Sequence, residues 1–128
     1  MELSNNVVGW FEIPVADMER AITFYETVLG LKLERNQMGE LDMAWFPFAE
    51  APGAPGSLVY HKDFYKPSSD GALVYFTSHS GDLKNELEKV EPAGGKVLVP
   101  KTLIKEDIGY MAVCEDTEGN RIALHSRS

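Results

Sequence analysis

The chain has 128 residues, of which 44% are apolar, and its formal net charge is −8 at pH 7. That length suits one domain with a real core, and the acidic charge argues against nucleic acid and anionic membrane surfaces as partners. One cysteine rules out an internal disulfide, and no segment has the pattern of a signal peptide or a membrane span, so the sequence predicts a cytoplasmic protein.

The first half of the chain predicts one strand, one helix and three further strands. Residues 7–15 alternate between apolar and mixed positions, as a strand with one apolar face does. Asp17 is expected to cap a helix that Gly30 ends. Three more strands are predicted at 31–35, 41–48 and 57–61, with a loop rich in Pro and Gly before the last of them.

The second half repeats this order. A shift of 65 positions places Asp17 on Asp82 and Gly30 on Gly95. The predicted elements are a strand at 73–77, a helix at 82–90 and strands at 96–99, 108–114 and 121–126. Each copy needs its twin to bury its apolar face, so the repeat predicts one α+β domain over residues 1–128. Module one covers 7–61 and module two covers 72–126.

Short motifs within this doubled unit resemble those of the vicinal oxygen chelate superfamily, which includes glyoxalase I, bleomycin resistance proteins and extradiol dioxygenases. The motifs are Val15-Ala-Asp17, Phe24-Tyr25 and Leu29-Gly30 in module one, and Asp116-Thr-Glu-Gly-Asn120 before the final strand. The resemblance implies two βαβββ modules related by a pseudo-twofold axis, which form a curved sheet around a concave groove. It also implies a small-molecule ligand in that groove and a homodimer.

The superfamily carries four metal ligands, one on the first and one on the last strand of each module. Carried over one at a time, these positions fall on Trp10, Leu58, Tyr75 and Ala123. None of these side chains ligates a divalent metal as His, Glu or Asp does. We therefore expect no metal and no other cofactor.

The candidate site follows from the period of two along a strand, which puts residue i+2 on the same face. Two positions beyond the vacated ligand positions lie Glu12 and His125, the candidate catalytic pair, expected to lie within direct or one-water hydrogen-bond reach of each other. Such a pair can be a structural hydrogen bond, a ligand contact or a proton-transfer pair. The candidate ligand-binding residues are Trp10, Tyr60, Tyr75, Thr77, Arg121, Trp45 and Tyr110.

Three functions are compatible with this pattern. The first is a metal-free protein, similar to bleomycin resistance proteins, that binds a small aromatic or cationic molecule in an aromatic cavity. The second is a metal-free lyase or isomerase that uses Glu12 and His125 as base and acid. The third, which the sequence favours least, is a metal-dependent lyase or dioxygenase with a site displaced to Glu12 and His125.

Overall fold

The structure is a computed structural model that describes residues 3–128. Its first module consists of β1 (Phe11–Pro14), α1 (Met18–Leu29), β2 (Glu34–Met38), β3 (Leu41–Trp45) and β4 (Gly56–Tyr60). The second consists of β5 (Val74–Thr77), α2 (Leu83–Leu87), β6 (Lys96–Lys105), β7 (Gly109–Glu115) and β8 (Arg121–Ser126). The predicted order of elements is confirmed, but β1 starts later than predicted, α2 is shorter, and β6 runs on to Lys105.

The strands form two four-stranded sheets with the same order, β1-β4-β3-β2 and β5-β8-β7-β6. In each sheet the first strand lies parallel to the last strand of its module, and the other pairs are antiparallel. This architecture confirms the predicted α+β fold with two βαβββ modules.

Helix α1 begins and ends as the sequence predicts. The Asp17 carboxylate accepts a hydrogen bond from the Arg20 backbone N–H at 3.1 Å, which satisfies one free donor of the first turn. Gly30 ends the helix with φ of 69°, a conformation that favours glycine. Within residues 3–128, no helix is long and apolar enough to cross a membrane.

Both helices and one face of each sheet share a single apolar core. Ile13, Leu58 and Ala44 from the first sheet join Ala112 and Leu124 from the second. The rings of Phe11 and Phe76 meet edge to face, with centroids 5.9 Å apart, and link the first strands of the two modules. We call the face of each sheet that packs in this core the helix face. We call the opposite one the open face, although its central side chains, among them Met43, Ser57 and Val59, are buried.

The turn at residues 116–120 ties the two modules together through polar contacts. Asp116, which is 3% exposed, accepts a hydrogen bond of 2.5 Å from the buried Tyr25 hydroxyl of α1. Glu118 accepts from the backbone N–H groups of Ala16 and Asp17 and forms a two-point ion pair with Arg20. The turn that the sequence indicates only as a connection is therefore also the N-terminal anchor of α1.

The Glu118 anchor predicts acid sensitivity. Burial raises the pKa of Glu118, but the hydrogen bonds from Arg20, Asp17, Thr117 and Ala16 outweigh burial and leave this pKa below its usual 4.5. A lowered pKa stabilises the fold above the unfolded-state pKa, and that contribution disappears as the pH falls through the folded-state pKa. Burial raises the pKa of Asp116, so its contribution has the opposite sign and does not explain a loss of stability in acid.

We expect the melting temperature of the wild type to fall more between pH 6 and pH 3.5 than that of Glu118→Gln. Circular dichroism melts across this pH range measure the difference. Glu106→Gln, at an exposed carboxylate, is the control and is expected to follow the wild type. If the melting temperature of Glu118→Gln fell as much as that of the wild type over the whole range, protonation of Glu118 would not contribute to the loss of stability in acid.

Cys114 lies on the helix face and is fully buried in the core. Burial, with a smaller effect from Asp116, raises the pKa of its thiol to about 12, so the reactive thiolate is scarce at neutral pH. We expect no reaction with 5,5′-dithiobis(2-nitrobenzoate) in buffer and one thiol per chain in denaturant. Rapid labelling of the native protein would contradict this placement.

Candidate functional site

A row of three side chains crosses the open face of the first sheet. The register of β1, β4 and β3 places Glu12 opposite Ser57, and Ser57 opposite Trp45. Neighbouring positions on these strands, Ile13, Leu58 and Ala44, belong to the core on the other side. Alternation along each strand therefore turns Glu12, Ser57 and Trp45 together away from the helices. We call them the Glu12 row.

Aromatic groups surround the carboxylate at one end of this row. Tyr65, from the segment between the modules, donates its hydroxyl to Glu12 Oε1 at 2.7 Å, and the Trp10 indole N–H lies 3.3 Å from Oε2. The hydrogen bond to Glu12 is the main reason why the pKa of Tyr65 is raised above its ordinary value. The indoles of Trp10 and Trp45 meet edge to face, with centroids 5.4 Å apart. The arrangement suits contact with an aromatic molecule that bears a positive charge.

The sequence predicts that Glu12 and His125 lie within direct or one-water hydrogen-bond reach, and no direct hydrogen bond joins them. Glu12 is exposed and takes its donors from Tyr65 and Trp10, both closer along the chain than the last strand. His125 Nε2 lies 2.8 Å from the carbonyl oxygen of Ile108. A carbonyl only accepts, so Nε2 carries the proton and is the donor. The two candidate catalytic residues thus each have another partner.

The other sequence-predicted residues divide between the faces. Trp45 lies on the open face of the first sheet, where the Trp10 ring meets it. The register of β5 with β8 places Tyr75, Thr77 and His125 on the open face of the second sheet, and alternation along β8 places Arg121 there too. Their placement on an open face agrees with the prediction, while any role in binding stays a prediction.

The prediction that Tyr60 and Tyr110 line the ligand site is wrong, because both lie on the helix face. Tyr60 pairs with Asp42 on the helix face of its sheet, two positions from the core residue Leu58. Tyr110 packs against the core beside α2, where the Lys101 ammonium lies 4.4 Å from its ring centroid. Lys101 also contacts the carboxylate of Asp82, which caps α2. Neither tyrosine can therefore contribute to the open face that carries the Glu12 row or His125.

The open faces do not supply a suitable donor set for a divalent metal. Leu58 lies in the core, so the open face of β4 presents Ser57 and Val59 instead. Among the open-face side chains of β1, β4, β5 and β8, the usual metal donors are Glu12 and His125. Within residues 3–128, no three His, Cys, Asp or Glu side chains group in a way that could hold a metal ion. The metal that the resemblance implies therefore does not fit this site.

Two open clefts border the first sheet. One, of about 580 Å³, is lined by residues between 3 and 9 and between 51 and 55, which precede β1 and β4. The other, of about 490 Å³, adjoins Trp45 at the end of the Glu12 row and is lined also by residues 32–34 and 46–48. Neither includes Glu12 or His125, and Glu12 itself is exposed on the surface.

Sequence reasoning missed two residues of this site. Ser57 is the one polar residue in the strand Gly-Ser-Leu-Val of β4, and that isolation is a usable signal. Tyr65 lies between the modules, outside any strand or helix, and no periodic pattern indicates its contact with Glu12.

Comparison with known proteins gives consistent matches over the whole fold. A family model described as the glyoxalase/bleomycin resistance protein/dioxygenase superfamily matches residues 7–124. A glyoxylase-like domain-containing protein from Didymella fabae is 33% identical over 129 residues, which cover 99% of this chain and 98% of that protein.

Two solved structures show the likeness in three dimensions. A variant of glyoxalase I from Zea mays superposes with a TM-score of 0.69 at 23% identity, and the match covers 93% of this chain but 45% of that one. The chain therefore spans a little under half the length of the maize enzyme. An antibiotic-binding protein from a Streptomyces species gives a TM-score of 0.64 at 24% identity, covering 99% of this chain and 100% of that one. At these identities the two likenesses show the fold.

Proposed function

The chain belongs to the glyoxalase/bleomycin resistance protein/dioxygenase superfamily, and within it we propose a small-molecule-binding protein that holds an aromatic, cationic ligand against the Glu12 row. The proposal includes the absence of a resident metal, supported by the poor donor set of the open faces. The similarity to an antibiotic-binding protein from Streptomyces supports binding as the general kind of activity.

The state of Glu12 carries the proposal. Its two oxygens accept hydrogen bonds from a phenol and an indole, both neutral. None of the ion pairs among residues 3–128 involves Glu12. A carboxylate set between aromatic side chains attracts an organic cation through its charge, while the ring faces contact the body of the ligand. The net charge of −8 adds a long-range attraction of the same sign.

Matched probes of opposite charge test this function. Calorimetric titration of the wild type with 4-phenylbutylamine is expected to show binding that weakens as salt rises, because the contact is ionic. The anion 4-phenylbutyrate, of similar size and shape, is expected not to bind. Equal binding of both compounds, or of neither, would contradict the proposal. Elemental analysis of protein purified without a metal-affinity tag tests the metal-free part, and a stoichiometric transition metal would overturn it.

The metal-free lyase or isomerase receives less support from the contacts. Glu12 and His125 would have to exchange a proton through a substrate, yet Tyr65 occupies one Glu12 oxygen and the Ile108 carbonyl holds the proton of His125 Nε2. Turnover of a panel of carbonyl compounds by the wild type, lost in Glu12→Gln, would reverse this ranking.

We also propose a homodimer. The edge strand β6 exposes four apolar side chains, Leu98, Val99, Leu103 and Ile104, each 37–48% exposed. Uncovered apolar groups on an edge strand favour association with a second chain. Light scattering is expected to give twice the chain mass of 14.2 kDa, and Leu103→Glu to reduce it towards that mass. A wild-type mass near 14.2 kDa would contradict the dimer.

A cytoplasmic location is proposed because the single cysteine is unpaired and buried, as is usual in a reducing compartment. Fractionation of cells that express the protein tests it, and recovery from the secreted fraction would contradict it.

A further inference from the structure

Two buried polar atoms of the Glu12 row have no hydrogen-bond partner. They are the Ser57 hydroxyl oxygen and the Trp45 indole nitrogen, and they are the two such side-chain atoms found among residues 3–128. Ser57 is fully buried, with 0% of its surface exposed. A buried donor left unpaired is unfavourable, and most buried polar groups in folded proteins are paired.

The side chains that carry these two unpaired atoms lie in the same row as Glu12. Ser57 and Trp45 are directly opposite each other on adjacent strands, on the open face, and Ser57 is opposite Glu12 on its other side. Neighbouring strands lie about 4.8 Å apart, so one small group above the sheet can contact both side chains. Ser57 thus lies beside the carboxylate that is proposed to receive the cation, and Trp45 lies on the far side of Ser57.

Both atoms can donate to the same acceptor. The indole N–H donates only, and the serine hydroxyl both donates and accepts. A carbonyl oxygen has two lone pairs and can take both hydrogen bonds, whereas an ammonium group cannot accept either. We propose that Ser57 and Trp45 bind a carbonyl oxygen of the ligand, next to the cationic group held by Glu12. This inference rests on the proposed function and narrows the ligand to a cationic alkylamine that also bears an aromatic ring and a ketone or amide.

Trp10 packs against one member of this pair, Trp45. Its indole meets that of Trp45 across β4, the strand that carries Ser57. Trp10 is 37% exposed, and its indole N–H lies 3.3 Å from Glu12, the longer of the two contacts to that carboxylate. A ligand that reaches Ser57 therefore displaces the Trp10 ring, and the ring of the ligand replaces that of Trp10 against Trp45.

Two amines of the same length test the proposal. N-(2-aminoethyl)benzamide and 4-phenylbutylamine both carry a phenyl ring and an ammonium group, but the first has an amide where the second has methylenes. Titrated into the wild type by calorimetry, the benzamide is expected to bind about three- to tenfold more tightly, the gain from one or two neutral hydrogen bonds. In Ser57→Ala and in Trp45→Phe, the ratio of the two dissociation constants is expected to approach one.

The controls separate this inference from the proposed function. Ser69→Ala, at an exposed serine between the modules, is expected to keep the wild-type ratio, and thermal melts report the folding of each variant. Equal affinity of the wild type for both amines, or an unchanged ratio in Ser57→Ala and Trp45→Phe, overturns this inference while the proposed function stands. Failure of both amines to bind the wild type overturns the two together.

Discussion

Asp116→Ala is expected to lower the free energy of unfolding by about 3 kcal/mol or more, since each buried group left unpaired costs about 1–3 kcal/mol. Asp116 Oδ1 accepts from the backbone N–H groups of Glu118 and Asn120. Oδ2 accepts from the Tyr25 hydroxyl and the Asn120 side-chain amide. Alanine removes all four acceptor contacts, and Tyr25 has no exposed surface through which water could replace them.

Urea unfolding followed by circular dichroism measures this loss. Tyr25→Phe removes one of the four contacts and is expected to cost about 1.5–3 kcal/mol, the range of a single hydrogen bond to a charged group. Asp70→Ala, at an exposed carboxylate between the modules, is the control and is expected to stay within about 0.5 kcal/mol of the wild type. A loss below about 1 kcal/mol for Asp116→Ala would mean that the 116–120 turn does not hold the modules together.

Glu12→Gln is expected to weaken the binding of 4-phenylbutylamine about tenfold, which corresponds to about 1.4 kcal/mol. Glutamine keeps the size of the side chain and an acceptor oxygen for Tyr65, so the variant removes the charge and little else. The expected loss is moderate because Glu12 is exposed, and water weakens an exposed ion pair. The salt dependence seen with the wild type is expected to decrease as well.

Calorimetry on the purified variants measures the change. Glu88→Gln on the second module removes the same unit charge far along the chain from the Glu12 row, so it controls for the net charge of the protein. Its affinity for the amine is expected to match the wild type within about twofold, since the Glu88 side chain is 65% exposed and salt screens an exposed charge. If Glu88→Gln and Glu12→Gln weakened binding equally, the attraction would come from the whole acidic surface and not from the site.

Most of the fold could be predicted because its signals are local. The capping Asp17, the terminal Gly30 and the alternation in the strands each act within a few residues, and the structure has them where the sequence indicates. The bounds were less accurate where an edge strand continues past its apolar run, as β6 does to Lys105. That modules 7–61 and 72–126 act as one domain remains a proposal, supported by their shared core.

The faces of β3 and β4 could not be predicted by the shift of 65 positions. That shift aligns Glu12 with Thr77, and both lie on open faces, but it also aligns Leu58 with Ala123 and Trp45 with Tyr110, which lie on opposite faces. The number of residues from the first strand to the third and fourth strands therefore differs between the two modules by an odd number. Loops absorb such a difference freely, while a change of one residue turns a side chain to the other face.

The contacts of the candidate site were harder to predict because they join distant parts of the chain. Glu12 was expected to find its donor on the last strand, and it finds it in Tyr65, between the modules. The unpaired state of Ser57 and Trp45 depends on packing across three strands, which no local pattern in the sequence encodes.

Chemical shifts of the two indole N–H groups test the central claim most directly. The chain has two tryptophans, Trp10 and Trp45, and both lie in the proposed site. In a ¹H–¹⁵N correlation spectrum of the wild type titrated with 4-phenylbutylamine, we predict that both indole signals and the Ser57 amide shift together with one dissociation constant. Unchanged indole signals, with shifts confined to other residues such as those around Arg121, would contradict the proposed binding site.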